Sequence, residues 1–182
     1  MAKTQSNPVR PGSSAPDFAL LDVVSGARPS LQQLRGENGT LILFICNHCP
    51  FVKHIEQGLR DLAAEYMERG IGIIAINAND VNAYPDDAPQ YMAEKQYPFP
   101  YLYDATQEVA RAYQATCTPD IFLFDANLKL YYHGQFDDSR PSNGIEPDGS
   151  DLRAAMDCLL ARKTAPLPQK PSVGCSIKWR NT

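Results

Sequence analysis

The chain has 182 residues, 43% hydrophobic and 21% charged, an ordinary globular composition long enough for one compact domain and short for two. Its formal net charge of -4 leaves no basic footprint, which argues against a nucleic-acid partner. No stretch approaches the ~20 apolar residues that a membrane-spanning helix requires, so no membrane partner is expected. Behind Lys3 there is no apolar run, so no signal peptide is expected and a reducing cytosol is the expected compartment. There a permanent structural disulfide is improbable. Five cysteines, at positions 46, 49, 117, 158 and 175, are an odd count that does not point to stapling.

Residues 1–16, with Pro8, Pro11, Gly12 and Pro16, read as an extended lead-in. A short first strand is expected at Phe18–Leu21, and a helical turn at Leu31–Leu34. Thr40–Ile45 is a continuous apolar, partly β-branched run bounded by turn residues, which reads as a buried central strand. Then Val52, Ile55, Leu59, Leu62 and Tyr66 recur at three and four residues, one face of an amphipathic helix of about four turns. Gly70 stops it, and Ile71–Ile76 reads as a second buried strand. Strand, helix and strand at this spacing form a βαβ unit with a parallel pair and a right-handed crossover.

From Asn79 to Pro100 the chain is polar and dotted with proline, with a short helix expected over Ala88–Lys95. Tyr101–Tyr103 reads as brief strand. Thr106–Tyr113 reads as helix, with Thr106 as N-cap. Ile121–Phe124 and Leu128–Tyr132, flanking Asp125-Ala126-Asn127, read as an antiparallel hairpin. A last helix is expected over Asp151–Arg162. The tail from Thr164 carries Pro166, Pro168 and Pro171 before Val173–Trp179. No internal repeat and no second domain are apparent.

Cys46-Asn47-His48-Cys49 lies between the buried strand and the amphipathic helix. A helix N-terminus presents free N–H groups and the positive end of the macrodipole, which favour a thiolate, the reactive form of cysteine. The spacing brings a second sulfur within reach, so a mixed disulfide can be resolved internally. Half of a zinc site is the competing reading, weakened because the chain has no second Cys-x-x-Cys and no His-x-x-x-His. Neither a metal nor any other cofactor is expected. Pro50 leaves two registers open. With Cys46 as N-cap, Pro50 sits one turn in and loses a backbone hydrogen bond. With Cys49 as N-cap, Pro50 takes the favoured first helical position and Cys49 receives the stronger helix-end stabilisation.

Cys46-Asn47-His48-Cys49-Pro50 after the apolar strand, with Thr118-Pro119-Asp120 before the strand Ile121–Phe124, resembles the thioredoxin-like superfamily. More closely, the chain resembles the peroxiredoxin-like proteins related to the alkyl hydroperoxide reductase/thiol-specific antioxidant (AhpC/TSA) group. The matching stretches are Cys46–Lys53, Ala115–Asp125, Asp137–Pro141 and Gly174–Trp179. The resemblance implies an α/β fold, a central mixed sheet flanked by helices, with Pro119 as a cis-proline facing the two cysteines. It implies that the Thr118 backbone can pair with a bound peptide or thiol substrate, that Cys46 attacks and that Cys49 resolves. The chain departs from both relatives. With Cys49 in the peroxidatic position, Ile42 and Cys46 stand where peroxiredoxins have proline and threonine, and their later arginine falls near Pro119. The tryptophan and buried carboxylate of thioredoxins are replaced by Ile45 and Thr40.

His48 could stabilise a thiolate when protonated, or be an exposed loop residue. Lys53 and His54 read as solvated surface. Cys117 and Cys175 are possible auxiliary thiols: Cys117 reads first as a buried strand residue, and Cys175 lies in a tail expected to dock through Trp179. Cys158 reads as core. Asp137, Asp138 and Arg140 read as an ion-paired turn. Tyr84, Tyr91, Tyr97 and Tyr101 either line a groove or cover the sheet. Three functions follow. The first is disulfide exchange through Cys46 and Cys49, with a protein or small-molecule disulfide as substrate and a thioredoxin- or glutathione-type thiol as reductant. The second is a thiol peroxidase using Cys49. The third is a copper-handling protein in which His133 joins the cysteines.

Overall fold

A computed structural model describes residues 3–180. The elements in chain order are β1 (Lys3–Gln5), β2 (Leu21–Asp22), α1 (Leu31–Leu34), β3 (Gly39–Phe44), α2 (Pro50–Met67) and β4 (Ile71–Asn77). A 3₁₀ turn at Pro85–Asp87 precedes α3 (Pro89–Ala93), β5 (Tyr101–Tyr103), α4 (Glu108–Ala112), β6 (Cys117–Thr118) and β7 (Asp120–Asp125). β8 (Leu130–His133), α5 (Ser150–Leu160) and β9 (Val173–Ser176) follow.

The main sheet has six strands in the order β2-β5-β4-β3-β7-β8. β4 lies parallel to β3 and β5, whereas β3–β7, β7–β8 and β2–β5 are antiparallel, so the sheet is mixed. β3 is buried along its whole length because both faces are covered. Leu41 and Leu43 point into a core with Val52, Ile55, Leu59 and Leu62 of α2 and with Leu152 and Met156 of α5. Ile42 and Phe44 point into the opposite core, with Leu31, Ala110, Tyr113, Phe122 and Phe124. No helix among the described residues is long and apolar enough to cross a membrane.

Several boundaries differ from the sequence reading, for local reasons. Phe18–Leu21 is not a strand: Ala19 makes a lone bridge to Ser30, and pairing with β5 starts only at Leu21. α1 lies where the sequence places it, capped by Ser30, whose hydroxyl accepts the Gln33 N–H while the Gln33 side chain accepts the Ser30 N–H. The N-cap of α4 is Gln107, at φ 65°, rather than Thr106, whose hydroxyl still accepts the Glu108 N–H at 3.4 Å. α2 runs 18 residues, a turn more than expected. The lead-in is not wholly irregular, since β1 joins a second sheet of order β1-β9-β6. That sheet ties both ends of the chain to the segment before Pro119.

Candidate active site

The abrupt change from β3 to α2 creates the site. β3 ends at Phe44, Ile45 still donates its N–H to Ile76 O at 3.0 Å, and the chain then turns through Cys46, Asn47 and His48. Cys49 is the N-cap of α2, with extended backbone (φ -69°, ψ 122°), and Pro50 takes the first helical position. Of the two registers open in the sequence, this one leaves the missing proline N–H among the groups that have no intrahelical partner anyway.

Both motif sulfurs are buried, Cys46 at 1% exposure and Cys49 at 0%. The Thr118 hydroxyl lies 3.4 Å from Cys46 Sγ, and Cys49 Sγ donates to the Thr118 carbonyl at 3.0 Å. The Thr118–Pro119 bond is cis, as the resemblance implied. The two buried thiols share Thr118 as a neighbour and titrate as a pair. The neighbouring Cys46 thiol, with further help from Thr118 and Cys175, outweighs burial and lowers Cys49 to about 5. The nearness of Cys49, burial and the charge of Asp87 push Cys46 up. The Thr118 carbonyl favours a protonated Cys49, and the surrounding donors outweigh it. Cys49, as the helix cap, is the sulfur nearer the free N–H groups and the positive end of the α2 macrodipole, which favour a thiolate.

Asp87, completely buried at 0% exposure, organises the turn although it lies 39 positions beyond His48. One carboxylate oxygen accepts the N–H groups of Asn47 (2.7 Å) and His48 (3.3 Å). The other meets His48 Nδ1 at 2.5 Å and accepts from Asn79 Nδ2 at 2.8 Å. Burial alone would raise this carboxyl, but the His48 and Asn79 contacts and the Asn47 N–H hold it below the ordinary carboxylate value. His48 Nδ1 also lies 3.7 Å from Cys46 Sγ, its Nε2 is buried without a partner, and its ring stacks on Tyr84 at 4.6 Å. His48 is thus not an exposed loop residue. Asp87 escaped the sequence reading because only the fold of the insert brings it to the motif; Tyr84, three residues earlier, was the one local signal.

The remaining candidates separate clearly. Cys117 is buried, donates to Pro119 O at 3.5 Å, and burial pushes its thiol up. Cys175 lies directly opposite Thr118 in the β6–β9 pairing. The Thr118 edge that the resemblance offers to a peptide is therefore taken by the chain's own tail. Trp179 packs against the second core, with Arg111 over its ring at 4.4 Å. Cys158 is half-buried rather than core. His54 is half-buried, with its Nε2 unpartnered, rather than solvated. The 137–140 turn is not held by an internal ion pair. Arg140 donates to the Asp137 and Ser139 carbonyls and to Gln135, Asp137 accepts the N–H groups of Ser139, Asp148 and Gly149, and Asp138 pairs with Lys170. His133 bonds to Asp120 at 2.7 Å, whereas the compact set of possible metal ligands among the described residues is Cys46, His48 and Asp87. Of the tyrosines, Tyr97 and Tyr101 pack into the first core, and Tyr91 is exposed.

A mixed sheet with two cysteines at the start of a helix and a cis-proline opposite them is the thioredoxin-like fold, which distantly related thiol–disulfide interchange and thioredoxin-domain structures share. The AhpC/TSA family model matches residues 11–133, and the chain belongs to that family. The crystal structure of an uncharacterized conserved protein from Geobacillus kaustophilus is 51% identical, with a TM-score of 0.97 over 100% of this chain and 98% of its own. The thiol-disulfide oxidoreductase ResA of Geobacillus kaustophilus is 30% identical over 68% of this chain and 68% of its own length. ResA of Oceanobacillus iheyensis is 28% identical over 66% of this chain, and the match spans 62% of its length.

Proposed function

We propose that this protein is a thiol–disulfide oxidoreductase whose redox pair is Cys46 and Cys49. The observation that carries this reading is the placement of both buried sulfurs at the start of α2 against Thr118, beside the cis-proline. Cys49 attacks a substrate disulfide as the thiolate, forming a mixed disulfide and releasing one substrate thiolate. Cys46 then loses its proton and attacks Cys49 Sγ, which releases the second substrate thiolate and leaves the Cys46–Cys49 disulfide. This assigns attack to the helix-cap cysteine, where the resemblance alone implied Cys46. Thr118 and His48 flank the sulfurs and steady the charge as it moves between them. A thioredoxin- or glutathione-type thiol restores the dithiol.

Because β9 occupies the Thr118 edge, a small disulfide or an exposed loop suits the site better than an extended peptide. The test is dithiol-dependent reduction of insulin and of glutathione disulfide. Cys49→Ser reduces turnover to background; full turnover by that variant, or none by folded wild-type protein, contradicts the assignment.

The thiol-peroxidase reading draws on the same thiolate, with Pro50 directly after Cys49 at the helix start. Against it, no arginine among the described residues hydrogen-bonds to either sulfur to polarise an O–O bond. Rapid sulfenic-acid formation at Cys49 under micromolar peroxide supports it, and sluggish oxidation removes it.

A further inference from the structure

The redox pair has a third sulfur neighbour that the two-cysteine reading does not use. β9 lies along β6 with Cys175 opposite Thr118, the residue whose carbonyl takes the Cys49 thiol and whose hydroxyl faces Cys46. Cys175 is buried, at 3% exposure, and belongs to the same buried cluster as Cys46 and Cys49. The approach is made possible by Gly174, where a Cβ would lie 1.9 Å from the Thr118 carbonyl oxygen. β9 is held on its other edge by β1, with Lys3 opposite Cys175. Beyond it, the Lys178 N–H bonds to Asn79 Oδ1 at 2.8 Å, and Asn79 in turn holds Asp87. The tail thus sits where a substrate strand would dock and presents a thiol to the sulfur that carries the charge.

We propose that Cys175 is a third redox thiol, an internal substrate that takes over Cys49 from Cys46 and forms a Cys49–Cys175 disulfide. The proposal rests on the reading that Cys46 and Cys49 exchange disulfides. In the step itself, the Cys175 thiolate attacks Cys49 Sγ of the Cys46–Cys49 disulfide. The Cys46–Cys49 bond breaks as the Cys49–Cys175 bond forms, and Cys46 leaves as a thiolate that takes up the proton lost by Cys175. One disulfide replaces another, so no outside oxidant or reductant is needed. In the reduced state burial, the neighbouring Cys49 sulfur and its charge push Cys175 up to about 12. The Cys49 contributions vanish once Cys49 is in a disulfide, so Cys175 ionises more readily in the oxidised pair than in the reduced one, while burial still opposes it.

The experiment is disulfide mapping of the full chain after one equivalent of glutathione disulfide, under non-reducing conditions. Cys46 and Cys49 share the tryptic peptide ending at Lys53, and Cys175 lies in the one ending at Lys178. The proposal predicts a cross-link between these two peptides in wild-type protein, retained or increased in Cys46→Ser and absent in Cys49→Ser. It also predicts that a glutathione adduct on Cys49 resolves in Cys46→Ser but persists in the Cys46→Ser/Cys175→Ser double variant. A normal Cys46–Cys49 disulfide with no cross-link in either wild type or Cys46→Ser overturns the third thiol and leaves the two-cysteine reading intact. Absence of both disulfides in folded wild-type protein overturns both. The wild-type map decides the matter even if a variant fails to fold.

Discussion

Two buried aspartate–histidine pairs occupy different regions of this molecule, and they are alike in nearly every local respect. Asp87 meets His48 at 2.5 Å and Asp120 meets His133 at 2.7 Å, and both aspartates are completely buried. Each imidazole stacks on an aromatic ring, His48 on Tyr84 at 4.6 Å and His133 on Phe122 at 4.1 Å. What differs is the third group. Asp120 and His133 join the neighbouring strands β7 and β8, and Asp120 also accepts the Thr116 N–H at 3.2 Å. Asp87 instead binds the backbone of the cysteine motif, and its histidine lies beside Cys46. The same pair fastens a sheet in one place and shapes the surroundings of a sulfur in the other. Chemical identity does not distinguish the roles; the neighbouring group does.

The largest expected effect treats the pairs equally. Replacing Asp87 or Asp120 by alanine removes a completely buried carboxylate from its histidine and backbone N–H partners, and each should cost about 3–5 kcal/mol in urea denaturation. A milder change separates them. Asp87→Asn removes the charge that pushes Cys46 up, so the higher of the two thiol titrations should move down, whereas Asp120→Asn should leave both where they are. The rate at which Cys46 resolves a glutathione adduct on Cys49 at fixed pH reads this: faster in Asp87→Asn and unchanged in Asp120→Asn. Equal responses would erase the distinction between the pairs.

Acid stability sharpens it further. Asp87 is held below its ordinary value of 3.8 in the folded protein, so it binds protons less readily there than in the unfolded chain. Its contribution is present above pH 3.8 and is lost as the pH falls through the folded value. Denaturant midpoints measured from neutral to acid pH should therefore fall less steeply in Asp87→Asn than in wild type. Next in size is Gly174→Ala, which drives a methyl group into the Thr118 carbonyl; it should cost about 1–3 kcal/mol and weaken the tail's hold on the site. The smallest effect belongs to Tyr84→Leu, which removes the ring from His48 and should cost about 0.5–1.5 kcal/mol.

What the sequence made legible was local. The apolar run of β3, the three-and-four spacing of α2 and the second run of β4 were enough for the βαβ unit, because each is a pattern within a few residues. Pro50 narrowed the helix start to two registers, and its missing N–H explains why the later one is adopted. The Thr106 cap was displaced by one residue because Gln107 adopts the left-handed conformation and its side chain donates to Ala78 O and Lys178 O. The environment of the sulfurs was not legible. Asp87 comes from an irregular insert and Cys175 from a proline-led tail, and both reach the motif through pairings that no local periodicity encodes.

The central claim, that the redox pair ionises first at Cys49, is tested most directly by thiolate absorbance of the reduced wild-type chain and of Cys49→Ser across the acid-to-neutral range. One thiolate should appear with a midpoint at about 5 in wild type and be missing in the variant. No thiolate below neutral pH in wild type, or an unchanged acid titration in Cys49→Ser, would contradict it.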